Sequence, residues 1–396
     1  MTQLKVLFFI VIALLPLTLV SCSGTAQPMA GWSGTAIDHG VIYAGTRDGG
    51  VVAVNSSNRD VLWSYTIATV SGGGISCNPT STPTAIYTTP VVDGDLVYVG
   101  TYSGQVLAFS TVARSQNLTF PQKKDGEWEW DCPMDSAKSN AIVANMLVSG
   151  DAIYVSSSNG RVYCLDRQFG DVNWQSEVLD KRHEKLWTSP AIQGDALCVS
   201  TFDGHIYALS AETGTLLDWS FEAKAGFVSS PVIYEDILLL GSFDRQLYAI
   251  EIGSNVSMWK FPQQNPAGNW FWASPVVNEG VVYAGCLDGR LYAIEAETGE
   301  ELWEFDAGSP IVCSPVLTDN LLVTADESGT VYVFDLSSEL ANEPLKTIPV
   351  GASVKSPFCA QDGFLYVRGE DNSIYVVDID KGEVAKVWPV LLTSEE

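Results

Sequence analysis

The chain has 396 residues, 46% of them hydrophobic and 17% charged, so it can bury a large core and global disorder is excluded. Against 21 Lys and Arg stand 47 Asp and Glu, a formal net charge of -26. A polyanionic surface gains nothing from phosphates or anionic headgroups, which excludes nucleic acid as a partner and membrane binding driven by surface charge.

The first segment supplies another route to a membrane. Lys5 precedes an apolar run, Val6–Val20, of about the length of a signal-peptide core and too short to span comfortably. The run ends Leu19-Val20-Ser21-Cys22, which resembles the bacterial lipobox. That resemblance implies a signal peptide over 1–21, lipidation of Cys22 and a tether over 22–30. The alternative is an ordinary signal peptide in which Cys22 is accidental. Export to the cell envelope is expected on either reading. With Ser23 rather than aspartate after the cysteine, a lipidated chain would sit at the outer membrane where the cell has one, and otherwise on the outer face of the cytoplasmic membrane.

From residue 31 onward the chain is one repeat. Its clearest copy is Ser274–Phe305: four short runs of β-type residues, separated by turns at Asn278-Glu279-Gly280, Asp288-Gly289 and Glu297-Thr298-Gly299. Aligning on Pro275 gives eight copies, anchored at Thr35, Pro90, Met146, Pro190, Pro231, Pro275, Pro315 and Pro357. The first two intervals carry insertions, Ala68–Tyr87 and Thr111–Trp128. A period near 40 built wholly of strands predicts an all-β, eight-bladed β-propeller of four-stranded antiparallel blades over 31–396, a single domain and a monomer.

The Gly-His and Trp-Asp pairs of WD40 repeats are absent. Instead the copy reads Ala293-x-x-Ala296-x-Thr298-Gly299-x-x-x-Trp303, echoed by Ala208, Ala211, Thr213, Gly214 and Trp219. This resembles the tryptophan-docking repeat of the quinoprotein (PQQ-type) propellers. The resemblance implies that Trp63, Trp174, Trp219, Trp259 and Trp303 wedge each blade against the next. Trp388 is expected in that place in the eighth copy and Trp128 or Trp130 in the second. In the seventh, Ile348 stands near it, so a softer junction is expected there.

The resemblance raises quinone-dependent redox chemistry, but this chain lacks the adjacent cysteines, the long insertions and the calcium-binding carboxylates of those enzymes. No His-x-x-x-His, Cys-x-x-Cys or Gly-x-Ser-x-Gly occurs, and His39, His183 and His205 are scattered. Most carboxylates fall in turns, where local hydrogen bonding accounts for them. No catalytic residue, cofactor or metal site is assigned. In a propeller, the connections holding Cys77 and Cys132 emerge on one face, making them candidate disulfide partners in an oxidising compartment; the alternative is that both stay unpaired. Cys286 and Cys313 are a weaker candidate pair, and Cys164, Cys198 and Cys359 read as small core residues.

Just ahead of the anchors lie Tyr87, Trp187, Phe227 and the run Trp270-Phe271-Trp272. These are expected around the mouth of the central channel, either capping it or forming a recognition surface. Signal, repeat type and blade number together resemble the propeller lipoproteins of the outer-membrane β-barrel assembly machinery, the BamB family. The resemblance implies a non-enzymatic scaffold for envelope or outer-membrane protein partners. The alternative is a ligand-binding or PQQ-dependent redox propeller.

Overall fold

The computed structural model describes residues 33–46, 49–66, 68–69, 82–83, 85–111, 141–179, 186–338 and 341–389. Their sheets follow one another as blades 1 to 8, over 35–66, 91–110, 147–175, 191–222, 232–261, 276–306, 316–349 and 359–389. Seven are four-stranded meanders in simple sequence order, and blade 2 shows three strands among the described residues. Blade 6 is typical, with strands Val276–Asn278, Val281–Gly285, Arg290–Glu295 and Glu301–Asp306. The chain is an eight-bladed β-propeller. Cys22, Cys77, Cys132, Trp128, Trp130 and His183 lie outside the described residues.

The short strands close through turns that only certain residues tolerate. In the hairpin between second and third strands, Gly104, Gly160, Gly204, Gly289 and Gly329 all have φ between 80° and 97°. Where the Asp-Gly pattern is incomplete, Arg245 and Asn372 occupy the same left-handed conformation, at φ 66° and 64°.

One such sheet cannot bury both faces, so the core forms between blades. There are eight apolar clusters, each shared by two neighbouring blades, from Tyr43 and Val51 against Val97 and Leu107 onward. The last joins Ile42, Ala44, Val52 and Val54 of blade 1 to Tyr366, Ile374 and Val376 of blade 8. Among the described residues the ring therefore closes by packing, with blade 1 and blade 8 each built from one continuous stretch of chain. Polar contacts seal it: Thr35 N–H donates to Pro357 O at 3.2 Å, and the Arg368 guanidinium donates to Ser33 O at 3.0 Å.

The repeat motif has a direct physical reading. Trp259 Nε1 donates to Ala296 O of the next blade at 2.8 Å, and its ring covers Gly299 so closely that a Cβ there would lie 2.5 Å from Trp259 Cδ2. Trp174 treats Ala211 and Gly214 in the same way, its indole bond being 3.0 Å. Within its own sheet each tryptophan faces a small partner: Trp63 faces Ala53, Trp174 faces Cys164, Trp259 faces Ala249 and Trp303 faces Ala293. Trp219 donates to Ser254 O at 2.8 Å, while Trp63 and Trp303 stack on Phe109 and Phe334.

The serine of Ser-Pro also acts between blades. Ser189 N–H donates to Ser230 Oγ, Ser230 N–H to Ser274 Oγ and Ser274 N–H to Ser314 Oγ, all within 3.1 Å. Thr89 N–H reaches Asn145 Oδ1 in the same way at 2.7 Å.

Three expectations need correction at the end of the ring. The eighth anchor is shifted by one residue: Cys359 pairs with Tyr366 as Val276 pairs with Tyr283, so Phe358 rather than Pro357 matches Pro275. In blade 7, register places Lys346 opposite Val333, where Trp303 faces Ala293, and Ile348 matches Phe305. In blade 8, Lys386 faces Val376 in the docking place, and Trp388 pairs two residues further along with Ile374. Blade 8 carries the same bulge as blades 1, 3, 5 and 6, and Lys386 stands four residues after Gly382 as Trp303 stands four after Gly299.

Trp259→Ala should lower unfolding stability by about 3–5 kcal/mol, the range for a buried Trp truncation. Gly299→Ala, which places a Cβ against that ring at a φ of 71°, should cost about 1–3 kcal/mol. Denaturant titration of both variants checks the pair.

Candidate functional site

The face that carries the connections between blades is assembled by one recurring backbone bond. In blades 2, 3 and 5–8 the first residue of the second hairpin donates its N–H to a carbonyl just ahead of the first strand. The bonds are Tyr102 to Ala85, Ser158 to Ala141, Phe243 to Gly226, Leu287 to Trp270, Glu327 to Pro310 and Glu370 to Ser353, at 2.7–3.0 Å. Each blade thus presents two side chains near the start of its innermost strand, one from the hairpin and one from the inter-blade connection.

Within the connection, burial alternates with position. Ile86, Ile142, Leu186, Phe227, Phe271, Ile311 and Val354 occupy equivalent places and are all buried. Phe227 and Phe271, at 1% and 0% exposure, are therefore core residues, not part of an exposed face. Phe227 packs on Tyr248, and Phe271 on Phe261 and Tyr292. The next residue along turns outward: Tyr87, Val143, Trp187, Val228, Trp272, Val312 and Lys355. Trp272 is half-buried, Trp187 is 39% exposed, and Trp270 is 38% exposed.

Two of these rings join hairpin aromatics that sequence reading had passed over. Trp187 packs on Phe202, Phe202 on Phe243 and Phe243 on Trp270, with centroids 5.0–5.2 Å apart and planes crossing at 65–87°. This edge-to-face ladder runs across blades 4, 5 and 6. In blade 2 Tyr87 and Tyr102 pair at 5.4 Å. The missed signal was the residue directly before the Asp-Gly, Asp-Arg or Ser-Gly turn, where Tyr102, Phe202, Phe243 and Leu287 recur.

The same positions in blades 7 and 8 hold charge. Lys355 Nζ lies 3.0 Å from both Glu327 and Glu370. Hydrogen bonds to Glu370 and then Glu327 hold its ammonium above the usual lysine range. The mouth is thus divided into an aromatic arc on blades 4–6 and an ionic clasp on blades 7 and 8.

Other polar groups are used internally. Tyr248, Tyr292, Tyr332 and Tyr375 donate to Asp244, Asp288, Asp326 and Asp371. Chiefly through burial, the Tyr332 and Tyr375 phenols are pushed up to about 12. Cys286 and Cys313 are not a pair: each is a free buried thiol, the first donating to Asn269 O and Trp270 O, the second to Val354 O and Ser356 O. Burial pushes the Cys198 thiol up to about 12 and that of Cys359 to about 11, which keeps both unreactive. Among the described residues no group of three His, Cys, Asp or Glu converges, and no helix is long and apolar enough to cross a membrane. On the opposite face a cleft of about 460 Å³ separates blades 2 and 3, where Arg167 is engaged by Asp93 and Asp151.

A family model described as outer membrane protein assembly factor BamB matches residues 20–176, 178–274 and 258–340. The chain belongs to the BamB family of PQQ-repeat propellers. Among its relatives, BamB of Salmonella typhimurium strain LT2 is 29% identical over 165 residues, 41% of this chain and 35% of that protein. BamB of Kangiella koreensis is 24% identical over 151 residues, 38% of this chain and 33% of that protein. The chain thus spans about a third of the length of the curated relatives it matches. The crystal structure of BamB from Moraxella catarrhalis superposes with a TM-score of 0.64 at 19% identity, covering 87% of this chain and 93% of that one. The computationally designed Ika8 protein gives 0.66 at 14%, over 89% and 97%. Both likenesses concern the fold.

The two aromatic rows should separate on mutation. Phe271→Ala should cost about 3–5 kcal/mol, whereas Trp270→Ala should lose only the edge-to-face contact, about 0.5–1.5 kcal/mol. Thermal unfolding of the two variants decides between core and surface. Because the folded-state pKa of Lys355 is raised, the clasp's stabilisation is fully present below the ordinary lysine range and is lost as pH rises through the raised value. A Lys355→Met variant should therefore show a smaller stability loss than the parent on going from neutral to strongly alkaline pH.

Proposed function

We propose that this protein is a non-enzymatic, envelope-located scaffold that holds protein partners during assembly of outer-membrane proteins. The observation that carries the reading is the ladder Trp187–Phe202–Phe243–Trp270, which exposes two tryptophans on a rigid face. Large aromatics held in fixed rotamers are strong anchors for a protein partner because little side-chain entropy is lost on binding. The family match and the names of the relatives supply the setting. Tyr87 and Trp272 extend the proposed surface, and Phe227 and Phe271 support it from below.

Attachment through a lipid on Cys22 completes the proposal, with Cys77 and Cys132 bracing the two inserted connections if the compartment is oxidising. A Cys22→Ser variant should move from the membrane fraction to the soluble fraction on cell fractionation. The scaffold role is tested by crosslinking in intact envelopes, comparing the parent with a Trp187→Ala, Trp270→Ala double variant. The parent should capture outer-membrane assembly proteins and the variant at least about tenfold less, as expected on losing hot-spot aromatics. Equal capture by the two proteins would remove the aromatic arc from the interface. Stoichiometric binding of pyrroloquinoline quinone with alcohol oxidation would replace the scaffold reading by the redox one.

A further inference from the structure

The junctions of the ring are not equivalent. Trp63, Trp174, Trp219, Trp259 and Trp303 dock blades 1, 3, 4, 5 and 6 onto the blades that follow. At the junction from blade 7 to blade 8 the same place holds Lys346. Its stem lies on Gly382, where a Cβ would come within 2.9 Å of Lys346 Cδ. Its ammonium donates to Ile379 O at 2.8 Å and also to Asp380 O. Ile379 corresponds to Ala296, whose carbonyl accepts the Trp259 indole, so a cation copies the tryptophan dock bond for bond.

The junction from blade 8 to blade 1 departs further. Lys386 stands in the docking place and is exposed. The receiving turn carries Arg59, at a φ of 73°, where blades 3, 4, 6 and 8 have Gly170, Gly214, Gly299 and Gly382. The serine relay stops here as well, since the shifted anchor puts Pro357 in the serine position. Beyond the apolar clusters it shares with blades 7 and 1, blade 8 is fastened by polar contacts where other blades use tryptophan: Lys355 between Glu327 and Glu370, Lys346 on two carbonyls, and Arg368 and Thr35 across the closure.

An indole dock removes a large apolar surface from water and carries no charge, so salt does not weaken it. A lysine dock buries less and leaves an ammonium beside water, and the half-exposed Lys355 bridges are screened. We propose that blade 8 is the opening segment of the ring, detaching as a unit from blades 7 and 1 before the tryptophan-docked blades 4, 5 and 6 separate. Opening uncovers the inter-blade faces around Val331, Val333 and Ile348 on one side and Ile42, Ala44 and Val52 on the other.

Hydrogen exchange of the full mature chain, followed by mass spectrometry at low and high salt, tests this. Amides in Phe364–Arg368 and Ser373–Asp378 should exchange at least about tenfold faster than those in Val281–Gly285 and Arg290–Glu295, by a local rather than global opening. High salt should widen the difference. Lys346→Met, which keeps the stem and removes the charge, should accelerate blade 8 alone, and Lys346→Trp should slow it. Equal protection of blades 6 and 8 in the parent, or acceleration by Lys346→Met spread evenly over all blades, would overturn the proposal.

Discussion

The structure depends on one contact, an indole from the last strand of a blade lying on the tight turn of the next. Every sheet here is too small to bury its own faces, and its apolar residues find cover only in a neighbour. At Trp174 and Trp259 the dock fixes how far adjacent sheets approach, because the ring must fit over a glycine and its N–H must meet one carbonyl. Alanine opposite the tryptophan and glycine beneath it are two halves of the same steric requirement. Five junctions repeat the tryptophan, and lysines stand in its place in blades 7 and 8.

The mouth follows from the same repetition. In six of the blades a single backbone bond ties the hairpin to the inter-blade connection, so equivalent side chains are delivered to equivalent places around the axis. The fold is indifferent to what those side chains are, provided the neighbouring position fills the core. Blades 4 to 6 use that freedom for aromatic rings, and blades 7 and 8 use it for two glutamates and a lysine. A surface made this way is rigid and divided by chemistry.

Much of this was legible in the residues. The spacing of Ala293, Thr298, Gly299 and Trp303 announced strands, turns and docking together, because each has a steric role that few other residues can fill. The position of Lys346 was not legible, since an insertion before its strand breaks the count. That of Lys386 was legible, four residues after Gly382 as Trp303 is after Gly299, but the indole of Trp388 drew the docking role two residues too far. Nor could the run Trp270-Phe271-Trp272 be sorted by eye: a connection has no period to say which ring points inward, and only packing sends Phe271 into the core and leaves Trp270 outside.

The sequence by itself determined the class of fold, the number of blades and the five tryptophan docks, because these rest on local rules that repeat along the chain. The tertiary structure decided which aromatics meet. Trp187, Phe202, Phe243 and Trp270 are separated by 15, 41 and 27 residues in the chain and become neighbours only when three blades stand side by side. It also decided where the ring is held by charge instead of by tryptophan, since the pairing of Lys346 with the carbonyl of Ile379 exists only across a closed junction.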